Sequence, residues 1–147
     1  MRPVNRIEFF SYRLDGEPGP LRGIRVDGRD LRAQVADATR ELWRRELAED
    51  WADETEEEVE RFLLEQHAGL HVEVFTAQHF RTPAPDAFVL GCPCGIWECW
   101  PLTARIAVTG TSVTWSGFRQ PHREEWGELP LGPFVFDRDA YDAALTP

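Results

Sequence analysis

The sequence predicts one α+β domain over residues 1–147, in which an antiparallel sheet packs against two helices. The chain has 147 residues, the size of one ordinary domain, and its 42% apolar and 29% charged residues are typical of a folded protein. Helical spacing of apolar residues marks two segments of its first half, and short strand-like segments separated by turn residues mark its second half. This arrangement favours the α+β class.

Two strands and a helix are predicted at the start of the chain. The segments Arg6 to Tyr12 and Leu21 to Val26 are rich in apolar residues, and turn formers follow each of them. After a turn at Asp27-Gly28, the side chain of Asp30 is placed to cap a helix, because apolar residues follow it at helical spacing. We expect this helix to run to about Glu49.

A second helix is expected after Thr55, because Thr55 and Glu58 have the spacing of a capping box. Acidic residues in its first turn suit the helix dipole. We expect Gly69 to end this helix and Leu70 to Phe75 to form a strand. Between Gln78 and Asp86, the stretch Thr82-Pro83-Ala84-Pro85 is expected to be a loop.

The second half of the chain is expected to consist mainly of strands joined by turns. Gly110-Thr111 separates two alternating segments and therefore predicts a hairpin. Asp137 is placed to cap a last helix that runs through Leu145. The predicted strands of this half are Ala87 to Leu90, Leu102 to Thr109, Ser112 to Trp115 and Phe134 to Phe136.

Negative charge is concentrated in one segment of this acidic chain. The formal net charge is −10, and the segment from Glu46 to Glu60 contains nine acids and no base. Nonspecific nucleic-acid binding depends on cationic side chains, so this charge balance argues against it. A run of like charges is typical of a solvated face, and the alternative is a docking surface for a basic protein.

The chain shows no sign of export or of membrane insertion. Charged residues interrupt the segment from Met1 to Glu8, so neither a signal peptide nor a transit peptide is predicted. No segment approaches the roughly 18 consecutive apolar residues of a membrane span. We therefore expect a cytoplasmic protein with no membrane partner.

The three cysteines, Cys92, Cys94 and Cys99, lie within eight residues in a C-x-C-x4-C pattern. In a reducing compartment, closely spaced cysteines are more often metal ligands or redox groups than disulfides. Zinc binds four ligands in a tetrahedron, and the turn formers Pro93 and Gly95 allow three sulfurs to converge on one ion. The sequence therefore indicates a zinc site whose fourth ligand lies elsewhere.

A histidine is the expected fourth ligand, and the candidates are His67, His71, His79 and His122. We favour His122, because it follows a predicted hairpin that lies close to the cysteine turn. His79 is the second choice, because it precedes the strand that leads to Cys92. Two alternatives remain for the cysteines: reduced thiols packed among nearby tryptophans, and redox or nucleophilic chemistry.

The sequence favours a noncatalytic binding module, and the alternative is a cysteine- or metal-dependent enzyme. In such an enzyme, Cys99 or a metal-bound water would use His122 as a base, and Arg119 or Arg123 would hold a small anionic substrate. The plainer interpretation of these arginines is a surface loop that pairs with the acidic helix. No phosphate-binding glycine loop, H-E-x-x-H or G-x-S-x-G motif is present.

Several segments of the C-terminal part of the chain carry a resemblance to known sequences. They are the C-x-C-G-x-x-x-C-W-P-L turn at residues 92–102, the segment 113–123 with its W-S-G-F-R-Q-P-H-R sequence, the segment 132–137, and Tyr141. They resemble a family of small bacterial cytosolic proteins for which no activity, substrate or cofactor is established. The resemblance implies an intact cytosolic domain in which the cysteine turn and the segment from Arg119 to Arg123 form one unit.

Overall fold

The computed structural model describes residues 4–146, within which five α-helices and two four-stranded antiparallel sheets are present. The α+β class expected from the sequence is confirmed, but the strands form two sheets instead of one. Met1 to Pro3, part of the segment on which the expectation of no signal peptide depends, lie outside the described residues, as does Pro147. None of the helices within residues 4–146 is long and apolar enough to cross a membrane.

The first sheet is centred on its second strand. β2 pairs with β1 along one edge and with both β3 and β4 along the other. The turn between β2 and β3 places Asp27 at a φ of 55° and Gly28 at a φ of 81°, left-handed conformations that this dipeptide favours. The strands of this sheet are β1 (Ile7–Tyr12), β2 (Leu21–Val26), β3 (Arg29–Asp30) and β4 (Leu70–His71).

The short strand β4 corrects two expectations. The expected strand to Phe75 ends at His71, because the N–H groups of Val74 and Phe75 both donate to the carbonyl oxygen of His71 and turn the chain. Gly69 does not end a helix but lies against β2, where a Cβ would be 2.2 Å from the carbonyl oxygen of Arg22. A close approach between two backbones therefore requires this glycine.

The helices of the first half begin at the predicted caps. Asp30 accepts a hydrogen bond from the backbone N–H of Arg32 at 2.9 Å, and Thr55 accepts one from the N–H of Glu58 at 3.1 Å. The first helix ends earlier than expected, because the backbone leaves helical geometry at Leu47. The helices of this half are α1 (Leu31–Glu46), α2 (Ala48–Trp51) and α3 (Glu56–Leu64).

The second sheet has the strand order β5-β6-β7-β8. A bulge at Gly117, where φ is 60°, allows β7 to continue past the predicted end at Trp115. The loop expected at Thr82 to Pro85 is wrong in part, because β5 already begins at Ala84. The remaining elements are α4 (Ala77–Arg81), β5 (Ala84–Leu90), β6 (Leu102–Val108), β7 (Ser112–Arg119), β8 (Phe134–Asp137) and α5 (Arg138–Leu145).

Two isolated bridges join segments next to the sheets, one between Asn5 and Phe136 and one between Ala68 and Gly91. One hydrophobic cluster contains buried residues of both sheets together with residues of α1 and α5. A second, smaller cluster joins α1 to α3 through Ala36, Trp43 and Leu63. The bridge at Gly91 matters most for the site, since this residue is followed directly by the first cysteine.

Candidate metal centre

The three cysteines lie in the connection between β5 and β6, which we call the cysteine loop (residues 91–100). The Sγ atoms of Cys92, Cys94 and Cys99 all lie within 4.8 Å of one another. All three are free thiols; Cys92 is half-buried, and the other two are exposed. The structure therefore brings together the three ligands that the sequence predicted.

Local hydrogen bonds fix the turn between the first two cysteines. The backbone N–H of Cys94 donates to Sγ of Cys92 at 3.5 Å, and the N–H of Gly95 donates to the carbonyl oxygen of Cys92 at 3.2 Å. Gly95 has a φ of 94°, and a Cβ on it would lie 3.0 Å from a carboxylate oxygen of Glu17. The hydrogen bond from Cys94 lowers the pKa of the Cys92 thiol, but burial has the larger effect and raises it.

The buried ring of His67 holds the far end of the cysteine loop. Its Nδ1 lies 3.0 Å from the carbonyl oxygen of Trp100. Ala68, the next residue, pairs with Gly91 through two backbone hydrogen bonds of 2.9 and 2.7 Å. Burial lowers the pKa of His67 to about 4, so the ring is neutral near pH 7.

His122, the favoured fourth ligand, lies beside the cysteine loop without being a member of the sulfur group. Its Nε2 lies 3.1 Å from the carbonyl oxygen of Glu98, and its ring stacks on Trp100 with 6.0 Å between the centroids. Gln120 ties the two segments together, because its Nε2 donates to the carbonyl oxygen of Pro101 at 3.0 Å. The role of His122 as a ligand stays a prediction.

The other two histidine candidates hydrogen-bond to groups other than the cysteines. Nε2 of His79 lies 2.7 Å from the carbonyl oxygen of Phe88, in the middle of β5. Nε2 of His71 lies 2.8 Å from a carboxylate oxygen of Glu17, which is itself mostly buried. Both rings have local structural partners.

Arg123 is held between an acidic residue of α1 and three tryptophans. Its guanidinium forms three hydrogen bonds, of 2.9, 3.2 and 3.0 Å, with the carboxylate of Glu46. It also lies 5.6, 5.0 and 6.0 Å from the ring centroids of Trp43, Trp100 and Trp126. Arg123 therefore pairs with the first acid of the segment from Glu46 to Glu60, which lies at the end of α1.

The environments of the thiols differ from one another. Burial raises the pKa of Cys92 to about 12, whereas a hydrogen bond from the Cys92 thiol lowers the pKa of Cys94. Without a cation, therefore, the half-buried thiol holds its proton. A bound metal ion reverses this balance, because a coordinating thiol is deprotonated.

Sequence reasoning missed the residues that position the cysteine loop. His67 was only one of four ligand candidates, and nothing local marked Gln120 or Glu17 as contacts of the loop or its neighbours. These residues become recognisable only from the fold, in which the polar side chains of His67 and Gln120 are almost completely buried. Buried polar groups of this kind need hydrogen-bond partners, and here the loop backbone supplies them.

No protein-family model matches the chain, and no match was found among curated proteins or solved structures. The resemblance of the cysteine turn and of the 113–123 segment to a bacterial family therefore stays a prediction.

Proposed function

We propose that the protein is a noncatalytic binding module in which Cys92, Cys94 and Cys99 hold a structural zinc ion. The observation that carries this proposal is the convergence of three Sγ atoms within 4.8 Å of one another. Zinc bound to thiolates at about 2.3 Å in a tetrahedron keeps its sulfurs roughly 3.8 Å apart. The upper limit of 4.8 Å on the sulfur separations is close to this value and therefore supports zinc binding.

His122 is the ligand that we propose for the fourth position. Ligating histidines usually donate their second ring N–H to a carbonyl or carboxylate group. The contact of Nε2 with the carbonyl oxygen of Glu98 fits this pattern and leaves Nδ1 as the metal-binding atom. The ring of His67 is buried, and its Nδ1 contacts the carbonyl oxygen of Trp100.

The three cysteines support a proposal for the compartment, and the acidic segment supports a proposal for the partner. Three free, closely spaced thiols stay reduced in the cytoplasm, which we propose as the location. Within the segment from Glu46 to Glu60, Glu46 pairs with Arg123 and Glu60 pairs with Arg40. Seven acids of this segment make no ion pair within residues 4–146, and we propose that they attract a basic protein.

Cobalt substitution tests the metal site directly. Metal-free protein titrated with Co²⁺ is expected to develop thiolate-to-metal charge-transfer absorption that saturates at one ion per chain and disappears when zinc is added. Cys99→Ser is expected to weaken this absorption strongly, whereas Glu98→Gln, which changes an exposed neighbour, leaves it unchanged. Absence of charge-transfer absorption in the wild type would contradict the proposal.

A separate comparison tests the fourth ligand. His122→Ala is expected to lower the affinity for Co²⁺ and to alter the d–d absorption, while the sulfur charge-transfer bands remain. His79→Ala serves as the matched control and is expected to leave both spectra unchanged. Identical spectra for wild type and His122→Ala would remove His122 from the site without removing the three cysteines.

A further inference from the structure

A groove beside the cysteine loop is lined by three aromatic rings. Trp43 of α1, Phe62 of α3 and Trp100 of the loop form its walls, together with Cys92 and the adjacent proline. Its volume is about 390 Å³. Phe62 is 39% exposed, so the outermost ring faces solvent. None of the residues that line the groove is cationic.

A buried hydrogen-bond network fixes the position of the Trp43 ring, which lies between the other two. Nε1 of Trp43 donates to Oε1 of Gln66 at 2.9 Å, and Nε2 of Gln66 donates to the hydroxyl of Thr39 at 2.9 Å. Phe62 stands edge-on to Trp43 with 5.0 Å between the centroids, and Trp100 lies tilted at 5.7 Å. The walls are therefore in place before any ligand arrives, which lowers the entropic cost of binding.

The groove also carries one carboxylate. Glu65 lines it, is exposed, and makes no ion pair with any residue between 4 and 146. Aromatic faces attract cations through the ring quadrupole, and a nearby carboxylate adds to this attraction. An aromatic groove with a single negative charge therefore suits an organic cation.

The molecule already holds one cation in this way. The guanidinium of Arg123 lies 5.6 and 5.0 Å from the rings of Trp43 and Trp100 and pairs with the carboxylate of Glu46. Neither Arg123 nor Glu46 lines the groove. The groove offers the same two tryptophans, a third ring and another carboxylate, but it lacks the guanidinium.

We propose that the groove binds an arginine side chain of a basic protein partner. This inference rests on the proposed function, which it deepens by naming the contact point and its chemistry. Guanidinium is planar and weakly hydrated, so it stacks on aromatic rings and pairs with a carboxylate through two hydrogen bonds better than ammonium does. The unpaired acids of the segment from Glu46 to Glu60 add long-range attraction for the same partner.

The test uses zinc-loaded protein and a peptide with capped ends whose one charged group is a single arginine. The matched probe replaces arginine by citrulline, which keeps the shape and removes the charge. We expect saturable binding of the arginine peptide, with shifts of the indole N–H resonances of Trp43 and Trp100, and no such shifts with the citrulline peptide. A lysine peptide is expected to bind more weakly, and equal binding of lysine would overturn the choice of arginine.

Variants of the groove locate the contact. Glu65→Gln and Phe62→Leu are each expected to lower the affinity for the arginine peptide about fivefold, since each removes one part of the cation site. Glu8→Gln, which neutralises an exposed carboxylate on β1, is the control of equal charge change and is expected to bind as the wild type does. Unchanged affinity in both groove variants would overturn the inference.

The failure of this inference can be told apart from the failure of the proposed function. If affinity survives in Glu65→Gln and Phe62→Leu but disappears when Glu54, Glu56, Glu57 and Glu58 are all changed to Gln, the acidic segment alone docks the partner and the groove inference falls. If the peptide occupies the groove of protein that binds no metal, the groove inference stands and the zinc proposal falls. If the arginine peptide does not bind to the wild type, the groove inference is overturned whatever the metal content.

Discussion

Nδ1 of His67 lies 3.0 Å from the carbonyl oxygen of Trp100, and the next residue, Ala68, pairs with Gly91. Two consecutive residues between α3 and β4 thus hold both ends of the cysteine loop. A loop fixed at both ends loses less conformational entropy when a ligand orders it. A buried histidine thus contacts the same loop that brings the three cysteines together.

The pH dependence of stability tests the state of His67. Its pKa in the folded protein is about 4, below the unfolded value of 6.5, so the unfolded chain takes up a proton first as the pH falls. The stability that a neutral His67 supplies is therefore fully present above 6.5 and is lost as the pH falls toward 4. Between pH 7 and pH 5 we expect a loss of about 2 kcal/mol from this group.

Urea unfolding of the metal-free protein at the two pH values measures this loss. His67→Gln is expected to be less stable than the wild type at pH 7 but to show a smaller loss on acidification. His71→Gln, a change at a less buried histidine, provides the comparison. An equal loss in wild type and His67→Gln would show that the imidazole does not carry the effect.

Gly69 provides a test of the contact that forms β4. Gly69→Ala would place a Cβ 2.2 Å from the carbonyl oxygen of Arg22, so either β4 or β2 must move. We expect a loss of about 3 kcal/mol in the free energy of unfolding. Gly110→Ala, at a hairpin turn with open space around it, is expected to stay within about 0.5 kcal/mol of the wild type. Equal stability of the two variants would contradict the close approach of β4 to β2.

Local signals predicted most of the fold. The caps Asp30, Thr55 and Asp137 act within two or three residues of themselves, and the turn at Asp27-Gly28 is encoded in its own dipeptide. Such short-range chemistry can be inferred from a sequence. Gly69 could not be interpreted in this way, because its role is set by contact with β2, more than forty residues earlier in the chain.

The same distinction between short-range and long-range contacts applies to the candidate site. The spacing of Cys92, Cys94 and Cys99 was enough to predict their convergence, because all three belong to one turn. The contact of His67 with Trp100 spans 33 residues and depends on how the two sheets meet. The groove could not be predicted from the sequence, because its walls come from three separate segments of the chain: α1, α3 and the cysteine loop.

The buried network around Gln66 sets the rigidity of the groove wall. Gln66→Met keeps a similar shape but leaves the indole N–H of Trp43 without its acceptor. Because an unsatisfied buried donor is costly, we expect a loss of about 1–3 kcal/mol in the free energy of unfolding. Chemical denaturation measures it, with Gln78→Met on exposed surface as the control. A loss no greater than that of the control would mean that the network does not fix Trp43.

The ion pair of Arg123 and Glu46 combines charge with aromatic contact. Arg123→Gln is expected to cost about 1–2 kcal/mol, because it removes a partly buried ion pair and the contact with three tryptophans. Arg119→Gln, at an exposed position at the end of β7, is expected to cost much less. Denaturation at low and high salt separates the two contributions, since salt screens the ion pair more than the aromatic contact. A cost that vanishes completely in high salt would rule out the aromatic part.

Metal content, measured by mass spectrometry on untagged protein purified without chelator and combined with thiol titration before and after unfolding, decides whether the three cysteines hold zinc. We expect about one zinc ion per chain and thiols that react only after unfolding or chelation. Protein that contains no metal and has a fast-reacting thiol in the folded state would overturn the zinc site and would instead support cysteine-dependent chemistry at this loop.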